Sequence, residues 1–202
     1  PLCQGDGEDV SRRRVEYYWR LLWYNTRVYS SVGKGRRALA STKSSKKVNF
    51  QDMNTVDFRR HLHSHPELSF EEHSTAAFIS EQLDALGIEH RPIAQTGILA
   101  RIEGRRGNLK RCVVLRADID ALPLQEMTGV EWASQCEGVM HGCGHDCHAA
   151  ILYGVLKRLQ ADRDFEGTVL GLFQPGEERG FAGARNVLME DPFKDYDVAA
   201  VI

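Results

Sequence analysis

Thr168-Val169-Leu170-Gly171-Leu172-Phe173, followed by Gln174-Pro175-Gly176-Glu177-Glu178 and then by Ala182 to Met189, decides the fold class. The first stretch is almost wholly apolar and reads as a buried strand. Pro175-Gly176 ends it in a turn, and Ala182 to Met189 reads as a helix. A buried strand that feeds a helix through a short polar loop is the building unit of an α/β sheet. The alternation continues on both sides. Upstream, His148 to Leu159 predicts a helix and Cys112 to Leu115 a strand, set off by Gly104-Arg105-Arg106-Gly107-Asn108 from an earlier strand at Ile98 to Ile102. Downstream, Val198 to Ile202 predicts another strand. Two helices come first. Asn54 or Thr55 caps one through Val56, Phe58 and Leu62, ending near His65 because Pro66 disfavours helical geometry before it. Ser69 and Glu72 have capping-box spacing for the second, which carries Ala76, Ile79, Leu83 and Leu86 and is closed by Gly87. These signals predict an α/β sheet, mostly parallel in its later part and covered by helices.

Composition agrees. The chain has 202 residues, 42% hydrophobic and 27% charged, with 26 basic and 28 acidic groups and a net charge of -2. That excludes fibrous and low-complexity classes and any global attraction to nucleic acid or anionic lipid. The charge is unevenly spread. Residues 1–52 hold 11 basic and 5 acidic groups, a balance of +6, which leaves -8 for residues 53–202. The first segment is rich in Arg, Ser, Tyr and Trp without sustained periodicity, and it reads as a basic leader outside the fold. No apolar run is long enough to span a membrane, and no secretory signal is convincing, so a cytoplasmic protein is expected. Five cysteines without such a signal argue against a disulfide framework.

Three polar clusters sit at element ends, where open α/β sheets place their ligand crevice. Asp118 and Asp120 follow one strand and Glu177 and Glu178 another. Met140-His141-Gly142-Cys143-Gly144-His145-Asp146-Cys147-His148 opens a helix. Thiolate and imidazole are preferred ligands of zinc and related ions, and the glycines let the backbone aim neighbouring side chains at one point. A structural zinc site lacks a second Cys/His pair at suitable spacing, and haem attachment through C-x-x-C-H fails by one residue. A catalytic site combining Cys143 and His145 with carboxylates fits best. One Glu of the pair Glu177-Glu178 would ligate metal and the other move a proton, in an order that residue chemistry leaves open. Asp118 and Asp120 could orient ligand imidazoles. His61, His63 and His65 do not share one helical face and read as packing or surface residues.

Four stretches together resemble the M20-type metallopeptidases. They are Arg59-Arg60-His61-Leu62-His63-Ser64-His65-Pro66-Glu67, Arg116-Ala117-Asp118-Ile119-Asp120-Ala121-Leu122-Pro123, Met140-His141-Gly142-Cys143-Gly144-His145-Asp146 and Gln174-Pro175-Gly176-Glu177-Glu178. The likeness is to the amidohydrolase branch, with hippurate hydrolase, N-acetyldiaminopimelate deacetylase and the plant auxin-conjugate hydrolases. It implies a zinc-peptidase-like α/β fold with a mixed, largely parallel sheet and helices on both faces. It further implies that Cys143, His145 and Glu178 are metal ligands, with Cys143 bridging two divalent ions (Zn, Mn, Co or Ni), that Glu177 is the general base, and that Asp120 assists. The implied substrate is an N-acyl amino acid, and full-length relatives form dimers through a smaller domain. Two further histidine ligands of the family, that smaller domain and the carboxyl-terminal half fall beyond Ile202. The resemblance therefore implies an amino-terminal piece of the catalytic domain over residues 53–202, beginning near Met53, with weak metal affinity and little turnover. The alternative is a non-catalytic metal-binding pseudoenzyme.

Overall fold

A computed structural model describes residues 53–202; the basic leader, 1–52, lies outside the described residues. The elements in chain order are α1 (Thr55–Ser64), α2 (His73–Ala85), β1 (Glu89–Ile93), β2 (Gly97–Glu103), β3 (Arg111–Asp118), α3 (His145–Ala161), β4 (Thr168–Gln174), a 3-10 turn (Glu177–Arg179), α4 (Ala182–Met189) and β5 (Asp197–Val201). The five strands form one sheet in the order β1-β2-β4-β3-β5. Pairings β1–β2 and β2–β4 are antiparallel, whereas β3–β4 and β3–β5 are parallel. The sheet is thus mixed, with its parallel part in the later strands, as the sequence predicts. β2 and β3 flank the Gly104–Asn108 turn without pairing, because β4 lies between them.

Both faces of the sheet are covered. On one, Phe58 and Leu62 of α1, Ile79 and Leu83 of α2, and Leu152, Tyr153 and Leu156 of α3 bury Ile98, Ala100, Ile102, Ala117 and Phe173. The Phe58 and Tyr153 rings stack there with centroids 4.2 Å apart. Gly171 lets α3 sit low on β4, since a Cβ at this position would come within 2.7 Å of Leu156 Cδ1. On the other face, Val187 and Leu188 of α4 and Phe193 cover Leu99, Cys112, Val114, Leu170 and Leu172. Alternate residues of β2 and β4 serve opposite faces, as the two-residue strand period requires.

Three local expectations change. Ser69 and Glu72 form no capping box: α2 has no side-chain cap from Glu72. Ser69 Oγ donates instead to Asp120, and the Glu72 carboxylate accepts from Thr96 Oγ1 and the Gly176 N–H. Buried long-range donors outcompete the local cap. Glu67 satisfies the helix end in its place, accepting from Ser74 N and Thr75 N at 3.1 and 2.7 Å. Strand β1 escapes a hydrophobicity reading because Glu89, His90, Arg91 and Pro92 are polar or ring-constrained and only Ile93 is buried. It is an edge strand, where Pro is tolerated. Helix α3 starts at His145, three residues before the expected His148, with Gly144 before it at φ 89°. The expected C-terminal closure of α2 does form: Gly87 is left-handed at φ 64°, and Ile88 N donates to Leu83 O at 2.9 Å.

Because Leu156 is fully buried between α3 and β4, Leu156→Ala should cost about 2–5 kcal/mol of unfolding free energy, read as a lower urea midpoint.

Candidate metal centre

The three polar clusters meet at the carboxyl ends of β3 and β4. Asp118 is the last residue of β3. Just beyond it, Ile119 N donates to Gln174 O at 3.1 Å and ties the two strand exits together. The chain leaving β4 turns at Gly176, at φ 63°, beneath the Phe70 ring. Gly183 of α4 presses on the same turn so closely that a Cβ there would overlap the Pro175 carbonyl oxygen. Held from both sides, this turn presents Glu177 and Glu178. The opposite wall is the start of α3, where Gly144 takes a conformation costly for other residues and delivers Cys143 and His145 on either side of itself.

His145 is buried and central. Its Nδ1 lies 2.9 Å from Asp120 O and 3.2 Å from Asp120 Oδ1, so Nε2 faces the cleft. That nitrogen is 3.7 Å from Glu178 Oε1, 3.8 Å from Glu177 Oε2 and 3.6 Å from Asp118 Oδ1. Asp120 Oδ2 accepts from Ser69 Oγ at 2.7 Å and from Glu178 N at 2.9 Å. Asp118 in turn pairs with His148 Nδ1 at 2.6 Å and Arg116 Nη1 at 3.1 Å.

Two sets of three donor atoms lie within 4.8 Å of one another among the described residues: Cys143, His145 and Glu178, and Asp118, His145 and His148. They share His145, whose Nε2 has a single lone pair and so serves one ion at a time. The first set is the better fit. It offers thiolate, imidazole and carboxylate, a combination that suits zinc-like ions, and its Glu178 Oε1 is buried without a hydrogen-bond partner. In the second set Asp118 and His148 already satisfy each other.

The electrostatics favour a cation. Partial removal from water, together with the Glu178, Asp118 and Glu177 charges, pushes the Cys143 thiol up to about 11. Burial and the Asp118 charge raise Glu177 above the ordinary carboxylate range. His145 resists burial and is raised to about 9 by Asp120, Asp118 and Glu177. Neighbouring negative charge adds to burial at Cys143 and Glu177 and overcomes it at His145, and a divalent ion would neutralise that charge.

Asp118, Asp120, Cys143, His145, Glu177 and Glu178 stand together at this cleft, and Asp120 orients an imidazole as expected. Residue patterns missed His148, whose bond to Asp118 spans 30 residues. Cys147 lies beside Arg59 and Asp146 and joins neither donor set. His61 and His65 stack at 4.6 Å and His61 packs on Phe78, which is a packing role. His63 is buried between Asp146 and Glu126, in a network that helical spacing does not reveal. Among the described residues no helix is long and apolar enough to cross a membrane.

A family model for peptidase family M20/M25/M40 matches residues 114–202, from within β3 to the last residue and including both candidate donor sets. Residues 114–202 belong to an M20-family peptidase domain. It is 40% identical over 182 residues to an N-acetyl-L-cysteine deacetylase of Bacillus subtilis, covering 89% of this chain and 43% of that protein. It is 43% identical over 145 residues to an N-acyl-L-amino acid amidohydrolase of Geobacillus stearothermophilus, covering 71% of this chain and 39% of the relative. The crystal structure of a dinuclear metal-binding M20 peptidase from Bacillus subtilis superposes with a TM-score of 0.68 at 42% identity, over 73% of this chain and 41% of that one. The chain thus spans less than half the length of these relatives.

Hydrogen bonding to His148 and the Arg116 charge outweigh burial and hold Asp118 down to about 2, below its unfolded value of about 3.9. A depressed carboxylate stabilises the fold at pH above its unfolded value, and that contribution disappears as pH falls through the folded one. The chelator-treated chain should therefore lose urea resistance between about pH 4 and pH 2, and Asp118→Asn should flatten that part of the profile.

Proposed function

We propose that a protein carrying this chain is a metal-dependent amidohydrolase that splits the amide of N-acyl amino acids into a carboxylic acid and a free amino acid. The observation behind this reading is the convergence of Cys143, His145 and Glu178 donor atoms within 4.8 Å, with Glu177 on the adjoining turn. The names of the relatives favour N-acyl amino acids as substrates, and the dinuclear relative favours a pair of ions.

Cys143, His145 and Glu178 would hold the ion. When bound, a divalent ion supplies Lewis acidity for the scissile carbonyl and for the attacking water. Glu177 does the proton work. Its raised affinity for protons suits a base that takes one from the attacking water and passes it to the departing nitrogen. Asp120 keeps the His145 ring turned so that Nε2 faces the cleft, and by accepting from Glu178 N it fixes the backbone beside the base. Arg116 and His148 hold Asp118 at the rim, 3.6 Å from His145 Nε2.

Glu177→Gln keeps the shape and removes the base. In the protein that carries this chain it should lower kcat for N-acetyl or N-benzoyl amino acids by about 10²–10⁴-fold with bound metal unchanged. Full activity in that variant would overturn the assignment of the base. Cys143→Ser in the 202-residue chain should abolish the near-ultraviolet thiolate-to-metal band that forms on adding Co²⁺.

A further inference from the structure

The segment carrying Cys143 and His145 is anchored on its far side by a carboxylate outside the cleft. Asp146, the second residue of α3, is fully buried. Its Oδ2 accepts from Arg59 Nε at 2.8 Å and pairs with His63 Nδ1 at 2.9 Å. Both partners belong to α1, 87 and 83 residues away in the chain. His63 turns its second nitrogen to Glu126 Oε1 at 3.2 Å. Glu126 accepts in addition from Thr128 Oγ1 and Ser134 N. One buried carboxylate thereby joins α1, the 126–134 loop and the first turn of α3. Neither candidate metal group includes any of these residues.

Stability alone is a poor reason for such a network. A buried ion pair adds little net stability relative to apolar residues of the same volume, because removing both charges from water offsets most of their attraction. Its directionality is the useful property. Two donors from one rigid helix, converging on one carboxylate oxygen, fix where the first turn of α3 sits. That turn needs fixing, because Gly142 and Gly144 flank Cys143 and leave its backbone without side-chain restraint. Asp120 holds His145 from the sheet side, whereas the Cys143 thiol faces the Glu178 carboxylate across the cleft.

We propose that Asp146, clamped by Arg59 and His63, is a positioning residue that sets the separation of the Cys143 thiolate and the His145 imidazole for a metal ion. The inference rests on the reading of Cys143 and His145 as ligands. It gives the Arg-x-x-x-His spacing of α1 a function: both side chains reach one face of α3, and the pair acts on the metal through Asp146 without touching it.

The test is Co²⁺ titration of the 202-residue chain, followed by the thiolate-to-cobalt band and the visible d–d bands, which report sulfur ligation and coordination geometry. Asp146→Asn should weaken Co²⁺ binding about 10–100-fold, the range for partners of ligand residues. It should also lower the charge-transfer intensity at saturation. His63→Gln, which keeps the Arg59–Asp146 pair, should give the same changes at smaller size, and Arg59→Lys should restore more of the spectrum than Arg59→Ala. Circular dichroism identifies variants that have not folded; should Asp146→Asn be one, His63→Gln carries the decision. Wild-type affinity and spectrum in a folded Asp146→Asn or His63→Gln chain would overturn the proposal. Absence of the band in the unsubstituted chain would overturn the metal reading beneath it, an outcome distinct from the first.

Discussion

The Asp120 carboxylate is the joint on which the cleft depends. It lies just past β3, and it accepts from the His145 ring at the start of α3, from the Glu178 backbone past β4 and from Ser69 ahead of α2. Three donors from three segments satisfy one buried anion, which holds it below the ordinary carboxylate range despite desolvation. Each donor would lose a buried partner if the carboxylate were removed, and that penalty exceeds the modest net value of an average hydrogen bond. The arrangement couples fold to chemistry, because the contacts that bring the segments together also aim the imidazole and seat the glutamates.

Charge gives the cleft a second character. Asp118, Asp120, Glu177 and Glu178 lie around a single imidazole and a thiol, in the segment that carries the -8 balance of the chain. Arg116 at 3.1 Å and His148 at 2.6 Å answer Asp118. Asp120, Glu177 and Glu178 have the His145 ring as their shared neighbour. Such a concentration opposes folding unless a positive ion is taken up, so binding and stability are linked through the same groups.

Much of this was legible in the residues. The apolar run of β4, the Pro175-Gly176 turn and the helical repeat of α2 lie within short windows, where periodicity and turn chemistry speak directly. The ligand candidates were legible too, since two glycines, two thiols and three imidazoles in nine residues have few packing explanations. Other features were hidden for a common reason. Strand β1 has no apolar alternation because it lies at the sheet edge, and the capping box failed because Asp120 and Gly176 are 51 and 104 residues from the side chains they engage. Helical spacing reads His63 as a packing or surface residue, and the approach of Asp146 on α3 and of Glu126 gives it a role. Local pattern cannot report a partner that arrives from another part of the chain. The ordering of Glu177 and Glu178 as base and ligand came from family resemblance.

The placement of β4 between β2 and β3 has a consequence for how the polypeptide acquires its shape. The two outer members of that trio are separated by a short turn, yet each must wait for a strand that begins at Thr168. Until it is synthesised, both expose unpaired edges with Ala100, Ile102, Val114 and Ala117 on their faces. Contacts of such long sequence separation make folding slow relative to local hairpins, and exposed edges are where nascent chains associate wrongly. The helices α1 and α2 can form first, but the carboxylates past β3 gain the backbone donor of Glu178 only after the insertion, so the cleft is among the last features to be completed.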